Sequence, residues 1–374
     1  MRISAVETTI LRLPNVTANG DGLQDMLLIE VHTDEGLTGV GEAHTMPTAI
    51  QAIIEAPISQ YAVQGLAGLL IGEDPGDIER LWRRMWTHCG SVLGGRGLVL
   101  HAMSGIDLAL WDLAGKVAGK PLHDLLGGAR TDLVDVYASQ LMPGTSGEVL
   151  ARAEELMSVG HRAIKFGWGT LGLSPADDVT LLGEVRQLVG PDVRLMLDVG
   201  VPMAVEDALW LAKATEYLGL SFLEEPLDAT DLDGYARLVD RSPIPIAAGE
   251  RESGVAGFAD LLERGHLPII QPDLARCGGI SVAREIASRA LANGAWVVPH
   301  CWSSDVLMAA TAHFLAALDQ PALLEFNVAN QPLRTELVTE PLRPVGGRLP
   351  VPRRPGLGIE IDPSVRERFR WNAR

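Results

Sequence analysis

The chain is poor in cysteine, in basic residues and in long apolar runs, and each shortage removes a class of protein. Its three cysteines, Cys89, Cys277 and Cys301, form no CxxC pair. Neither a disulfide framework nor a zinc knuckle is therefore expected, and Cys301 is read as a small buried thiol rather than a nucleophile. Lys and Arg number 31 against 48 Asp and Glu, a net charge of −17. So acidic a chain lacks the basic surface that nucleic-acid binding needs. Anionic small molecules stay open, because a divalent cation can reverse the field locally. No apolar run reaches the roughly 18 residues of a membrane helix, and the stretch from Met1 to Glu7 has no signal-peptide layout. A cytoplasmic protein with no membrane partner is expected. What the chain has in quantity is apolar residues, 47% of 374, enough for a barrel of roughly 250 residues plus a smaller domain.

Between Ile164 and Glu325 short apolar, strand-like segments end repeatedly on a residue that can bind metal or move protons. The ends are Asp198, Glu224, Glu250, Asp273, His300 and Glu325, spaced by 26, 26, 23, 27 and 25 residues. That interval is the length of a strand, a helix and two loops. The expected fold is α/β, a modified TIM barrel of the (βα)7β type over 129–326, whose strand ends converge on one mouth. Strands are predicted at Leu133 to Ser139 and Arg162 to Phe166, and helices at Pro175 to Val189 and Ala204 to Leu218.

The rest of the chain does not keep this rhythm. Residues 1–128 read as an α+β capping domain. Ile3 to Leu13 alternates like a strand, Met26 to His32 and Leu37 to Glu42 form a hairpin across Asp34-Glu35-Gly36, and helices follow at about Thr48 to Leu70, Gly76 to Trp86 and Gly105 to Lys116. The polar segment Pro14 to Gly22 is read as a surface loop or a lid. The tail, 327–374, is expected to return to this domain, with Gly346 to Pro350 and Pro355 to Ile361 as short strands and turns.

Asp198, Glu224 and Glu250 end three successive predicted strands. Three unpaired carboxylates at neighbouring rim positions repel one another unless a cation holds them. An all-oxygen set without Cys or His points to Mg²⁺, with Mn²⁺ possible, rather than zinc. Adjacent strand residues face opposite ways, so only one of Glu224 and Glu225 can turn to the metal. The spacing favours Glu224, which leaves Glu225 to pair with a basic neighbour, and Glu252 lies past the strand end. Asp273 and His300 end the next two strands, and a carboxylate on one imidazole nitrogen makes the other a usable general base. Glu325 either donates a hydrogen bond to developing negative charge when protonated or is a structural carboxylate. Lys165 either binds a substrate carboxylate as a fixed cation or acts as a base. Trp168, between Gly167 and Gly169, is a pocket wall or core.

With these residues in hand the chain resembles the enolase superfamily, in the branch of mandelate racemases and acid-sugar dehydratases. The resemblance covers essentially the whole length. It is carried by Gly105-Ile106-Asp107-Leu108-Ala109-Leu110-Trp111-Asp112, Leu223-Glu224-Glu225-Pro226, Ala248-Gly249-Glu250, Gln271-Pro272-Asp273 with Gly278-Gly279, Pro299-His300 and Pro355-Gly356-Leu357-Gly358. It implies removal of the proton alpha to a carboxylate to form an enediolate, with Asp198, Glu224 and Glu250 as Mg²⁺ ligands, Asp273 with His300 as the base dyad and Glu325 stabilising the intermediate. It also implies a small carboxylate substrate and a homo-oligomer.

One departure matters. Racemases of this branch carry Lys-x-Lys on the second barrel strand, whereas this chain has Lys165-Phe166-Gly167, and Arg276 is the only cation near Asp273 where other members use a lysine. Both differences disfavour epimerisation. They leave a one-base dehydration of an aldonate or aldarate to a 2-keto-3-deoxy acid. A lactone cycloisomerase or a racemase/epimerase is the alternative, and a non-catalytic sugar-acid binding protein is the remote one.

Overall fold

The structure, a computed structural model, describes residues 1–17, 22–59, 63–169, 171 and 174–371. Part of the predicted lid loop, 18–21, lies outside them. The chain opens with an antiparallel sheet of β1 (Ile3–Arg12), β2 (Asp25–Thr33) and β3 (Thr38–Ala43), in that order. β2 and β3 form the predicted hairpin, closed by Gly36 at φ 83°. The 21-residue helix Leu98–Ala118 packs on one face. A Cβ on Gly39 would stand 2.0 Å from the Ala109 carbonyl oxygen, and one on Gly41 2.0 Å from that of Gly105. Only glycine lets strand and helix backbones approach this closely. By length and composition this helix could cross a membrane, but 78% of its apolar window is buried inside the protein.

The helix expected from Thr48 to Leu70 is two, Pro47–Glu55 and Leu66–Leu70. Pro57 is the reason: the residue before a proline is driven out of the helical region, and Ala56 has ψ 135°. From the tail, Leu333, Leu337, Val365 and Phe369 cover Leu11, Leu23, Met26 and Leu28 of the sheet and its approach.

Eight parallel strands follow: β4 (Leu133–Leu141), β5 (Ala163–Gly167), β6 (Arg194–Asp198), β7 (Leu223–Glu224), β8 (Ile246–Ala248), β9 (Ile269–Ile270), β10 (Trp296–Val297) and β11 (Leu323–Asn327). Each of the first seven is followed by a helix, which is the (βα)7β pattern. Tyr137, Ala163, Met196, Phe222, Ala247, Ile269, Val298 and Leu323, one from each strand or its immediate flank, fill the interior. β10 and β11 are not paired directly. The Gln320 carboxamide bridges that seam, accepting from Val297 N at 3.0 Å and donating to Val297 O at 2.6 Å, as a strand backbone would.

One tail segment departs from expectation. β12 (Arg348–Pro350) pairs antiparallel with the start of β4 rather than with the first domain. β5 joins β4 only from Ala138 onward, so the β4 edge at 133–135 is open to it.

Helix Leu98–Ala118 also locks the capping sheet to the barrel and the tail. Asp107 accepts from Ser281 N at 3.0 Å and Ser281 Oγ at 2.6 Å. Asp112 accepts from Val40 N and Leu357 N, both at 2.8 Å. Trp82 Nε1 donates to Gly278 O at 2.9 Å. Burial pushes Asp107 up to about 7, against these hydrogen bonds. A folded-state pKa above the unfolded one gives stability that is present below the unfolded value, near 3.8, and lost as pH rises to about 7. Asp107→Asn lacks this titration. Relative to the wild type it should therefore gain on the order of 2 to 3 kcal/mol between pH 5 and 8, the limiting cost being about 1.4 kcal/mol per pH unit up to the folded-state pKa. Urea midpoints at the two pH values measure this, and parallel wild-type and variant curves would contradict it.

Candidate active site

The C-terminal strand ends open beneath the first domain into a cavity of about 320 Å³. Asp198 and Glu224 are the last residues of β6 and β7 and stand level in the parallel register. Glu250 lies two residues beyond β8, carried inward by Gly249 at φ 138°. Lys165 comes from β5, Glu325 from β11, and Asp273 and His300 from the turns after β9 and β10. All seven are buried. The structure thus brings together the seven residues proposed from the sequence as metal ligands and catalytic groups.

Lys165 Nζ lies 2.7 Å from Glu224 Oε2, 2.9 Å from Glu325 Oε1 and 3.8 Å from Asp198 Oδ2. Burial opposes its charge, but Glu224 and Glu325 outweigh it and hold the ammonium well above its usual pKa. Of the two readings open for Lys165, the fixed cation is the one this geometry supports. Glu325 also accepts from Ser139 Oγ at 2.7 Å and from Cys301 N at 2.8 Å. Burial works against ionisation, but Lys165 and His300 keep its pKa low. It stands as a carboxylate surrounded by donors, so of the two readings open for Glu325 the geometry supports the carboxylate rather than the protonated donor.

Asp198 and Glu224 are pushed up by burial, and neighbouring carboxylates add to the shift. Glu224 Oε1 is buried with no hydrogen-bond partner. Such an acceptor-only oxygen among further carboxylates calls for a cation, and the set offers oxygen alone, so Asp198, Glu224 and Glu250 suit a hard divalent ion. A tighter three-donor group, with ligand atoms all within 4.8 Å, lies elsewhere, at Glu7, Glu30 and His32 on the capping sheet. There the Arg366 guanidinium already neutralises Glu30, at 2.8 and 3.0 Å.

Asp273 Oδ2 accepts from His300 Nδ1 at 2.7 Å and from His44 Nε2 at 3.1 Å, and Asp273 Oδ1 accepts from Ala275 N at 2.7 Å. Burial is overcome by His44, His300 and Arg276, and Asp273 stays well below the usual carboxylate range. His300 Nε2 faces the cavity, 3.0 Å from Glu250 Oε2. Burial disfavours the imidazolium, yet Glu250 and Glu325 raise His300 well above its usual pKa. His44, which ends the capping hairpin, was not visible as a site residue from the barrel rhythm. Arg276 NH2, a donor only, lies 3.3 Å from His44 Nδ1, which leaves the proton on Nε2 for Asp273.

Glu225 pairs with Arg251 Nε at 2.8 Å, the basic partner expected for it. The Arg251 guanidinium lies 5.5 Å from the Trp168 ring centroid. Trp168 is a cavity wall, and its Nε1 donates to Asp198 Oδ2 at 3.1 Å from a left-handed backbone, φ 56°. Glu252 is engaged outside the cavity by Ser253 N at 2.7 Å and Arg96 at 3.6 Å. Cys301 is buried and burial pushes its thiol well up, as suits an inert side chain.

Gly167 explains the missing second lysine physically. A Cβ there would sit 2.5 Å from Asp198 Cβ and 2.6 Å from its carbonyl oxygen. Any side chain at this position moves Asp198. Gly167→Ala should accordingly weaken divalent-cation binding roughly 10- to 100-fold, the scale seen when a ligand's support is disturbed. Titration calorimetry would show it, and unchanged affinity would contradict the contact.

The sequence matches two family models: the mandelate racemase/muconate lactonizing enzyme N-terminal domain over residues 2–127 and the enolase C-terminal domain-like family over 148–365. The chain belongs to the mandelate racemase/muconate lactonizing enzyme family of the enolase superfamily. It is 34% identical to a D-galactarolactone cycloisomerase of Agrobacterium fabrum (strain C58) over 99% of both chains. It is 35% identical to an L-rhamnonate dehydratase of Saccharopolyspora erythraea, covering 96% of this chain and 90% of that one. Among solved structures, a racemase from Streptomyces coelicolor A3(2) with bound magnesium superimposes with a TM-score of 0.88 at 27% identity, over 99% of this chain and 100% of that one.

Proposed function

We propose that the protein is a Mg²⁺-dependent dehydratase, a carbon–oxygen lyase acting on an aldonate or aldarate. The observation that carries this is the asymmetry of the cavity. One wall presents a single imidazole, His300, aimed inward and held by Asp273. Among the described residues the wall at β5 offers Lys165, fixed as a cation by carboxylates, and no side chain at Gly167. Among them a two-base inversion at one carbon has no second base.

In this reading Lys165 binds the substrate carboxylate, and Glu325 holds Lys165 in place. Asp198, Glu224 and Glu250 would hold Mg²⁺ (or Mn²⁺), which when bound would supply positive charge for the developing enediolate and offset the Glu250 charge that raises the pKa of His300. His300 Nε2 takes the proton alpha to the carboxylate. The C3–O bond then breaks, the hydroxyl leaves with the electron pair, and the His300 imidazolium protonates it to water. The remaining enol tautomerises to the 2-keto-3-deoxy acid. Each fixed charge aimed at the enediolate contributes on the order of 3 to 4 kcal/mol.

A second reading has a specific support, the full-length similarity to a D-galactarolactone cycloisomerase. The same proton abstraction would then expel a ring oxygen instead of a hydroxyl. Incubation with Mg²⁺ and a set of aldonates, aldarates and their lactones, scored for keto acid with semicarbazide, tests both. Keto acid from an open-chain acid supports the dehydratase, and product from lactones alone replaces it with the cycloisomerase.

A further inference from the structure

Among the described residues two arginines line the cavity, and of these Arg276 has the spare hydrogen-bonding capacity. Arg251 is committed to Glu225 at 2.8 Å, to the Gly200 carbonyl at 2.9 Å and to the Trp168 ring. Arg276 makes only long contacts: NH1 to Glu250 O at 3.3 Å, NH2 to His44 Nδ1 at 3.3 Å and to Thr45 Oγ1 at 3.5 Å, and Nε to Asp273 Oδ2 at 3.5 Å. The last lacks hydrogen-bond geometry, so Nε–H is buried without a partner. The capacity a ligand could use is at NH1 and NH2, held only by contacts of 3.3 to 3.5 Å, and a guanidinium edge so loosely held is suited to a planar, two-oxygen anion.

Its neighbours are placed at a cost. Thr45 and Met46 are consecutive non-glycine residues at φ 69° and 58°. Such backbone is costly and persists where the surroundings enforce it, commonly at binding sites. Here it sets Thr45 at the cavity beside Arg276. β5, which carries Lys165, and β9, which leads into Arg276, are four strands apart in the eight-strand ring. The two cations therefore occupy opposite walls. A volume of about 320 Å³ falls at the low end of ligand clefts and suits a small polar acid.

We infer that Arg276 and Thr45 bind a carboxylate at the far end of the substrate, so that the site takes a sugar diacid in preference to a sugar monoacid. This rests on the proposed dehydration, in which Lys165 takes the carboxylate next to the reacting carbon.

Matched pairs test it: galactarate with galactonate, and glucarate with gluconate. Binding is measured by calorimetry with Mg²⁺ on protein carrying His300→Asn, so that nothing is consumed, and kcat/KM is measured on the otherwise wild-type enzyme. In the pair of accepted configuration the diacid should bind at least about tenfold tighter, because a site built for a charged group discriminates against its absence. Arg276→Gln should remove that preference, and Thr45→Ala should reduce it several-fold. Equal affinity for both members, or loss of diacid and monoacid binding by the same factor in Arg276→Gln, overturns the inference. Thr45→Ala carries the same comparison if the arginine variant does not fold. A binding preference without keto acid would remove the dehydration and keep the recognition, whereas equal turnover of monoacid and diacid would do the reverse.

Discussion

Replacing His300 by asparagine should lower turnover by roughly 10²- to 10⁴-fold, the range a positioned general acid–base supplies, with no loss of divalent-cation affinity. The sign of the second part follows from geometry. His300 Nε2 sits 3.0 Å from Glu250 Oε2 and shares that carboxylate's charge. Removing the imidazole frees Glu250, so the cation should bind as well as before or better. Steady-state kinetics with calorimetry for Mg²⁺ checks both parts. Substantial residual dehydration would remove His300 from the base role. A large drop in Mg²⁺ affinity would mean that His300 supports the cation site.

Glu224→Gln should have the opposite signature. The glutamate is fully buried, one oxygen is bound to Lys165 and the other has no partner. Its substitution takes one negative charge from a site that keeps two carboxylates, Asp198 and Glu250. Disturbing the mere supports of metal ligands costs about 10- to 100-fold in affinity, so loss of a ligand should cost more than about 100-fold. Turnover at ordinary Mg²⁺ concentrations should vanish with it and return in part at high concentration. Unchanged Mg²⁺ affinity would show that Glu224 serves Lys165 alone.

The rim was legible in the sequence because a parallel barrel converts linear periodicity into proximity: whatever ends each strand arrives at one mouth. That rule placed Asp198, Glu224, Glu250, Asp273, His300 and Glu325 without any contact information. Strand alternation also separated Glu224 from Glu225, and Arg251 is the basic partner that Glu225 needed. His44 escaped because it belongs to the antiparallel sheet, whose packing over the barrel has no periodic signature. Its tie to Asp273 spans 229 residues. Which of the two readings of Glu325 holds depends first on how close Lys165 and His300 stand and then on Ser139 Oγ, none of which residue types give. β12 and the Gln320 seam were hidden likewise, since open strand edges appear only once register is known.

The cap motifs carried information of another kind. The close approach of Gly105, the Asp107 clasp on Ser281 and the Asp112 ties to Val40 and Leu357 hold the first domain and the tail on the barrel. They position His44 and Thr45 over the cavity without touching it.

The central claim, one-base elimination at this site, is tested most directly by following an accepted acid in D₂O with Mg²⁺ by proton NMR. The account predicts that the alpha-proton signal disappears only as the 2-keto-3-deoxy acid forms, with solvent deuterium incorporated at C3 and no epimer in the remaining substrate. Recovery of epimerised, alpha-deuterated acid without keto product would contradict it and would require a second base on the Lys165 side.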